Sequence, residues 1–324
     1  MLTELNIRNF KLFENLQIDG LKRVNLIAGR NNSGKTALLE ALRIMAAGND
    51  LSVMHHILSQ RGQPISNSWT AYDPLFYNPT LKSILDNTLL RMQIGRFRIE
   101  RTSKGLKSTR YYIQKEDGTK ADINELAVRS NLPNPLVPRD VAIFIPFATV
   151  DYFPLERMWD SIVLTPKEDK VMEILRATIL PNLIRLDVKP ERTLVRLAGE
   201  EKPLPLKSLG DGAQRILLMA VALVNAENNM LLVDEIEAGL HYSVLEKLWE
   251  IIFLYAEELN VQVFATTHSS DAIKSFVYTL EKMNKSDQGA YFRLQNDRQH
   301  AQPEVIVYDL DRMENALESN LEIR

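Results

Sequence analysis

The sequence predicts an α/β fold in which a mainly parallel β-sheet is flanked by helices, with an N-terminal antiparallel β subdomain and an inserted segment. The main observation is a regular alternation in the last third of the chain. An apolar helix, a buried strand, an amphipathic helix and a second buried strand follow one another over residues 212–226, 230–235, 243–259 and 261–266. Strands that alternate with helices form a mainly parallel sheet with helices on its faces.

The N-terminal part of the chain gives the second observation. Residues 2–10 and 16–28 have the pattern of strands, and the second stretch ends in an apolar run suited to a buried strand. A glycine-flanked turn follows, and apolar residues at helical spacing predict a helix over 36–45. We also expect a strand over 141–147, helices over 154–162 and 167–180, and two short strands within 184–197.

The 324 residues are long enough for one large domain or two small ones, and for a sizeable core. We predict a single domain over residues 1–324, with an insertion over 48–140 and a C-terminal extension over 279–324. The insertion has scattered Pro, Gly, Asn and Ser, few long apolar runs and one predicted hairpin. That hairpin pairs residues 90–101 with residues 109–115.

Composition excludes several classes of protein. The formal net charge is -3, so nucleic acid could bind only through a local basic patch. The chain has no cysteine, which excludes disulfides and thiolate metal sites. The longest apolar run, residues 216–224, is far shorter than the roughly 20 residues that a membrane-spanning helix needs. The first residues do not form a signal peptide, so we expect a cytoplasmic protein with no membrane partner.

A phosphate-binding loop is predicted between the strand that ends at residue 28 and the helix that follows. Residues 29–36 match G-x-x-x-x-G-K-[ST] in full, with Lys35 and Thr36 in the last two positions. Lys35 would contact the β- and γ-phosphates of ATP, and the Thr36 hydroxyl would bind Mg²⁺. The predicted ATP-binding residues of this loop are Gly29, Arg30, Asn31, Asn32, Ser33, Gly34, Lys35, Thr36 and Ala37.

Acidic residues end the predicted strand 230–235. At the carboxyl end of a buried parallel strand, Asp234 and Glu235 would emerge beside the phosphate loop. Asp234 would hold Mg²⁺, and Glu235 would orient or deprotonate the attacking water. His268 follows the next apolar strand and would reach the γ-phosphate. The predicted catalytic residues are therefore Glu235, Lys35 and His268.

A second anion-binding turn precedes the apolar helix that begins at residue 212. Ser208, Gly210, Asp211 and Gly212 offer a hydroxyl and free N–H groups at a helix start. One ATP already has its own loop, so this turn is predicted to cap the γ-phosphate bound to a second copy of the protein. The sequence thus predicts a homodimer, or a higher assembly, that closes on ATP.

The order of these motifs resembles the ABC-type ATPase heads, and within them the SMC, RecF and OLD group of DNA-maintenance and phage-defence ATPases. The opening residues 5–16 look like the first strands of that group. The resemblance implies that Ser208, Gly210 and Gly212 act across the dimer and that residues 238–241 cross the interface. His241 stands where many relatives have Asp, and the glutamine loop is expected near residues 147–151.

Three functions stay open on the sequence. The first is an ATP-hydrolysing switch without a nuclease domain of its own, which gates a separate effector such as a nuclease or toxin in phage defence or genome maintenance. The second is a low-turnover scaffold that senses nucleotide and restrains such an effector. The third is a RecF-like repair ATPase that contacts DNA non-specifically through the basic hairpin residues Arg96, Arg98 and Arg101.

Overall fold

The computed structural model describes residues 1–47, 51–60, 72–76, 90–94, 97–102, 110–114, 119–122, 142–147, 155–189, 192–296 and 303–308. The helices within these residues are α1 (Lys35–Ala47), α2 (Leu51–Gln60), α3 (Leu155–Asp160), α4 (Pro166–Thr178), α5 (Asp211–Asn225), α6 (Tyr242–Glu258) and α7 (Ser270–Lys282). None of them is long and apolar enough to cross a membrane.

The central sheet has six strands within the described residues, in the order β15-β14-β3-β13-β12-β8. All neighbouring pairs are parallel except β14 and β15, so the predicted mainly parallel sheet is confirmed. Both faces of its inner strands are covered, which explains why their sequences are continuous apolar runs. The strands are β3 (Val24–Gly29), β8 (Ala142–Ile145), β12 (Met230–Val233), β13 (Gln262–Thr267), β14 (Gly289–Asn296) and β15 (Pro303–Tyr308).

Two hydrophobic cores lie on the two faces of this sheet. Successive residues of a strand point to opposite faces, and Leu26 joins one core while Ile27 joins the other. The larger core is formed with helices α3 to α7, and the smaller one with α1, α2 and the N-terminal sheet. The predicted flanking of the sheet by helices is therefore confirmed.

The N-terminal sheet is antiparallel and larger than the sequence predicts. Its order is β2-β1-β4-β5-β6-β7, so strands of the predicted insertion extend the sheet that the first residues begin. Residues 90–101 were predicted as one strand of a hairpin, but they form two strands, β4 and β5, which pair with each other. The strands are β1 (Glu4–Phe10), β2 (Phe13–Asp19), β4 (Leu90–Ile94), β5 (Phe97–Thr102), β6 (Arg110–Gln114) and β7 (Lys120–Asp122).

The prediction of one strand over residues 16–28 is wrong. Strand β2 ends at Asp19, and Gly20 follows with a φ of 76°, a conformation that glycine adopts without steric cost. The chain then enters β3, which belongs to the central sheet rather than to the N-terminal one. The buried residues of β2 alternate with exposed ones and are followed closely by Leu21 and the fully buried β3, so the sequence shows no long polar gap at the turn.

A third, small sheet supports the start of α5. It has the order β11-β10-β9, in which the two predicted strands, β9 (Leu183–Lys189) and β10 (Arg192–Leu197), pair in antiparallel fashion, and β11 (Leu204–Pro205) lies at the edge. A short 3-10 helix, Leu206–Leu209, leads from β11 to α5. Within the predicted C-terminal extension, β14 lies beside β3 in the central sheet. The domain boundaries stay predictions.

Candidate active site

The predicted phosphate loop lies between β3 and α1, as the motif requires. The loop residues Arg30, Asn31 and Asn32 are exposed, and α1 begins at Lys35. Asn32 and Gly34 have φ angles of 62° and 106°, so the backbone turns sharply before the helix. A loop of this kind in front of a helix start directs backbone N–H groups towards an anion.

The Lys35 side chain folds back over this loop. Its Nζ donates hydrogen bonds to the carbonyl oxygens of Gly29 at 2.7 Å and Arg30 at 3.0 Å. Burial lowers the pKa of Lys35, and the carboxylates of Glu235, Asp234 and Glu237 oppose that shift. The ammonium group thus lies at the loop, and the nearby carboxylates favour its charged form. A charged ammonium group suits a contact with phosphate.

The turn between β1 and β2 touches the phosphate loop, which the sequence did not predict. A Cβ added at Gly34 would lie 2.9 Å from Cδ1 of Leu12 and 3.0 Å from Cζ of Phe13, closer than side chains pack. Lys11 in the same turn forms an ion pair with Glu40 of α1. The positive φ favours glycine at position 34, and a larger residue there would also require the Leu12 and Phe13 side chains to shift.

Asp234 connects the end of β12 with β13 and with the start of α1 at the carboxyl edge of the central sheet. Its Oδ2 accepts a hydrogen bond from the Thr36 hydroxyl at 2.9 Å, and its Oδ1 accepts one from the Thr266 hydroxyl at 2.6 Å. The predicted partners Thr36 and Asp234 are thus brought together. Sequence reasoning missed Thr266, although it is one of two hydroxyl residues at the end of an otherwise apolar strand.

Glu235 has a backbone conformation that is uncommon for a residue with a side chain. Its φ is 49°, and the contacts of its peptide groups hold it there. Its N–H donates to the Thr266 hydroxyl at 2.9 Å, and its carbonyl oxygen accepts from Nη2 of Arg215 at 3.2 Å. A fixed backbone fixes the direction in which the carboxylate leaves the strand.

His268 lies next to the predicted catalytic carboxylate. Its Nδ1 is 3.2 Å from Oε1 of Glu235 and 3.3 Å from Oε1 of Glu237. Glu237 also accepts a hydrogen bond from the His268 backbone N–H at 3.1 Å. Half of the His268 side chain is exposed (50%), so the ring remains accessible from solution. Sequence reasoning did not single out Glu237, which stands two residues after Glu235 outside the apolar strand.

The turn before α5 differs from the prediction in one detail. We expected the Ser208 hydroxyl at the helix start, but Ser208 lies in the 3-10 helix and its hydroxyl donates to the Pro205 carbonyl oxygen at 2.6 Å. Gly210 precedes the helix instead, with a φ of 98° and no side chain to cap the free N–H groups. Ser208, Gly210 and Asp211 are exposed, so the helix start itself faces solvent.

The loop after the acidic strand, residues 238–241, packs against this helix start. A Cβ at Gly212 would lie 3.0 Å from the carbonyl oxygen of Gly239. His241 takes the N-cap position of α6, where its side chain accepts from the Ser243 N–H. An Asp at this position could make the same kind of N-cap contact.

Some predicted site residues lie outside the described residues. Phe147, the first residue of the segment where we expected the glutamine loop, is exposed, and residues 148–151 are not described. In the basic hairpin, Arg98 is exposed, whereas Arg96 and the side chain of Arg101 are outside the described part of the chain.

The residues present fit a magnesium ion held jointly with a nucleotide. Thr36 and Asp234 offer a hydroxyl and a carboxylate in contact, and Mg²⁺ prefers oxygen ligands and typically binds through one or two protein side chains together with phosphates. Such an ion would neutralise charge on the β- and γ-phosphates. Among the described residues no group of three or more His, Cys, Asp or Glu side chains could hold a metal by itself.

A phosphate loop and an acidic strand end, together at the carboxyl edge of a parallel sheet, define a P-loop nucleotide-binding protein. Residues 24–273 match the family model described as "AAA domain, putative AbiEii toxin, Type IV TA system". The chain belongs to this family, and it is an ATPase whose fold is that of the ABC-type heads of the SMC and RecF group.

Individual relatives give the same class. The chain is 24% identical over 371 aligned residues to a Helicobacter pylori protein named ATP/GTP phosphatase, and the alignment covers 97% of this chain and 99% of the relative. A shorter stretch of 56 residues is 36% identical to the DNA replication and repair protein RecF of Nitrosococcus oceani. That stretch covers 17% of this chain and 15% of RecF.

Solved structures with the same fold include two SMC heads. The SMC head bound to the C-terminal winged-helix domain of ScpA superimposes with a TM-score of 0.59 at 16% identity, covering 95% of this chain and 98% of that one. The SMC head domain of Thermotoga maritima gives a TM-score of 0.52 at 12% identity with the same coverage, 95% and 98%. At these identities the likeness concerns the fold.

The Thr266 hydroxyl can be tested by replacing it with valine, which keeps the shape but removes the bonds to Asp234 and to the Glu235 backbone. Two hydrogen bonds of about 1–1.5 kcal/mol each predict a loss of about 30- to 150-fold in kcat. Steady-state ATPase assays measure this loss. Thr279→Val is the matched control, because among the described residues that buried hydroxyl bonds only the Ser275 carbonyl oxygen, within α7. Equal rates for the two variants would contradict the prediction.

Proposed function

We propose that this protein is an ATP-hydrolysing switch whose two copies enclose two ATP molecules and thereby gate a separate effector. The single observation that carries the proposal is the position of the exposed α5 start. It lies against the loop that directly follows the acidic strand, at Gly212 and Gly239, so two elements suited to face a second subunit form one surface.

Catalysis would depend mainly on positioning and electrostatics. In the proposed site Lys35 would neutralise the β- and γ-phosphates, and Thr36 and Asp234 would hold Mg²⁺. The Glu235 carboxylate would orient the attacking water and accept its proton, while His268 would contact the γ-phosphate. The proximity of His268 to Glu235 supports this assignment, since both side chains then reach the same end of the nucleotide.

A second subunit would complete the site. The Gly210 N–H donates to the Lys207 carbonyl oxygen at 3.1 Å, but Gly210 has no side chain to cap the N–H groups in the first turn of α5, which begins at Asp211. Tyr242 follows the 238–241 loop with two thirds of its surface exposed (66%), and Leu209 precedes the helix start with 39% exposed. Apolar groups around a polar anion site suit a surface that another protein covers.

The effector is proposed from the relatives. The family description names a putative toxin and a toxin–antitoxin system, and one solved relative is an SMC head bound to ScpA. We therefore propose a separate toxin or nuclease as the partner and phage defence or genome maintenance as the setting. An effector that bound only the closed dimer would report the ATP state of the switch.

Lys35→Ala removes the one ammonium group that the loop positions. Because charge-assisted hydrogen bonds to phosphate are lost, we expect no saturable ATP binding at millimolar concentration. Titration with a fluorescent ATP analogue measures the affinity. Lys247→Ala on α6 removes a lysine that pairs with Glu250 and serves as the control. Unchanged affinity of the Lys35 variant would exclude this loop as the phosphate site.

Glu235→Gln tests the switch itself. The amide keeps the size of the side chain but cannot accept the proton of water, so ATP should remain bound and the dimer should accumulate. Light scattering with and without ATP measures the mass, and Glu257→Gln on the surface of α6 is the control that should stay ATP-hydrolysing. If the Glu235 variant binds ATP but stays monomeric, the enclosed-dimer model is wrong. Wild-type turnover near background would instead favour the low-turnover scaffold.

A second candidate function is DNA contact, which the register of the N-terminal sheet favours. Arg8 lies opposite Gln93, Gln93 opposite Arg98, Arg98 opposite Gln114, and Gln114 opposite Lys120. Residues directly opposite share a face, and the three basic members of this row are exposed. With strands about 4.8 Å apart, Arg8 and Arg98 are about 10 Å apart along the row, a polar surface on which phosphates could bind.

Replacing Arg8 and Arg98 together by alanine tests this candidate. If both contact phosphates, affinity for duplex DNA should fall and the slope of log affinity against log salt should decrease by about 2. Fluorescence anisotropy at several salt concentrations measures both quantities. The control removes two other lysines, Lys170 and Lys282, which pair with glutamates on α6. Equal DNA affinity of the two double variants would reject the row as a DNA contact.

A further inference from the structure

Arg215 is a buried arginine in the second turn of α5, with only 5% of its surface exposed. Its Nη1 donates to the carbonyl oxygen of Pro146 at 3.0 Å. Its Nη2 donates to the carbonyl oxygens of Asp234 at 3.0 Å and Glu235 at 3.2 Å. The side chain thus connects α5 with the carboxyl ends of two neighbouring strands, β8 and β12.

The chemistry of the guanidinium group suits this connection. Its donors lie in a rigid plane and can bond several carbonyl oxygens at once, whereas a lysine ammonium group is a single point. The Nε atom is buried with no hydrogen-bond partner among the described residues, so the group is held by its two terminal nitrogens alone. Any displacement of α5 would therefore act on the three carbonyl groups through this one side chain.

The Glu235 peptide is the most sensitive of these contacts. Its left-handed φ is unfavourable for a residue with a Cβ. Two supports hold it: the Thr266 hydroxyl, which accepts from its N–H, and Arg215, which donates to its carbonyl oxygen. The first support comes from β13 of the central sheet, and the second comes from α5.

We propose that Arg215 is a positioning residue that sets the backbone of Glu235 and links it to the start of α5. In the proposed dimer that helix start touches the nucleotide of the second subunit, while Glu235 acts on the nucleotide of its own subunit. Arg215 would then make hydrolysis at one nucleotide depend on the presence of the other. The positioning role stands without a dimer, and the coupling between sites rests on the proposed function.

Arg215→Gln and Arg215→Lys test this role in the full chain. Loss of a charged donor at Glu235 predicts a decrease in kcat of about ten- to hundredfold, by the usual 1.5–3 kcal/mol of such a bond. ATP affinity should change by no more than about threefold, since Arg215 does not contact the phosphate loop. The dependence of rate on ATP concentration should change from cooperative to hyperbolic. Lysine should restore part of kcat.

Arg176→Lys is the matched control, because that arginine on α4 also donates to a backbone carbonyl oxygen, that of Leu183. Circular dichroism shows whether each variant is folded. If Arg215→Gln is not folded, the kinetics of Arg215→Lys test the proposal. A kcat and a cooperativity equal to those of the control overturn the proposal. So does a parallel loss of ATP affinity and kcat, which a merely structural role would cause.

The two proposals can fail separately. If Glu235→Gln never dimerises with ATP, the proposed switch is wrong and the coupling role of Arg215 is overturned with it. The kcat of the Arg215 variants at saturating ATP still judges the positioning role in that case. If Glu235→Gln dimerises and the Arg215 variants keep full cooperativity, only the coupling is wrong.

Discussion

The parallel pairing of β3, β13 and β12 is the constraint on which the site depends. Because the three strands run in one direction, the phosphate loop, His268 and the acidic pair emerge at one edge of the sheet. The register sets the contacts: Val233 lies opposite Ala265, which places the next residue of each strand, Asp234 and Thr266, within hydrogen-bond reach. A shift by one residue would turn the side chains to opposite faces.

Several charged side chains lie together at this edge of the sheet, and each of them would be costly to bury without a partner of opposite charge. Desolvation lowers the pKa of Arg215, and the carboxylates of Asp234, Glu237 and Glu235 oppose it. Buried charges are tolerated where they are paired and hydrogen-bonded, and Asp234 meets that condition with two hydroxyl donors. The Ser33 hydroxyl and Oε2 of Glu237 are buried without a partner among the described residues. Groups of this kind suit a site whose remaining partner is a ligand.

How well the sequence predicts a feature depends on how far apart in the chain the residues that determine it lie. The phosphate loop and the acidic strand are local sequence patterns. Their closeness in space follows from the shared direction of their strands. The break at Gly20 was missed although Asp19-Gly20 is typical of a turn, because the alternating apolar residues of β2 lead with little gap to the apolar run of β3. The pairing of β1 with β4 joins residues far apart in the chain, so the insertion was predicted as a separate hairpin. The role of Thr266 depends on strand register. Ser208 does not cap α5 because Gly210 takes the N-cap position and Ser208 lies in the preceding 3-10 helix.

The close approach of Gly212 and Gly239 also explains why binding and hydrolysis would respond to the same event in the proposed dimer. Only three residues separate Glu235 from Gly239, and Arg215 lies one turn after the start of α5. Two connections therefore lead from the proposed interface to the Glu235 backbone, one along the chain from Gly239 and one through Arg215. Both are short and made of packed or hydrogen-bonded groups. Packed interiors respond to a displacement as connected bodies rather than locally. A second subunit that orders the α5 start would for this reason also order Glu235. In a lone subunit, the Glu235 backbone would be held by Thr266 and by an α5 whose start contacts no second subunit.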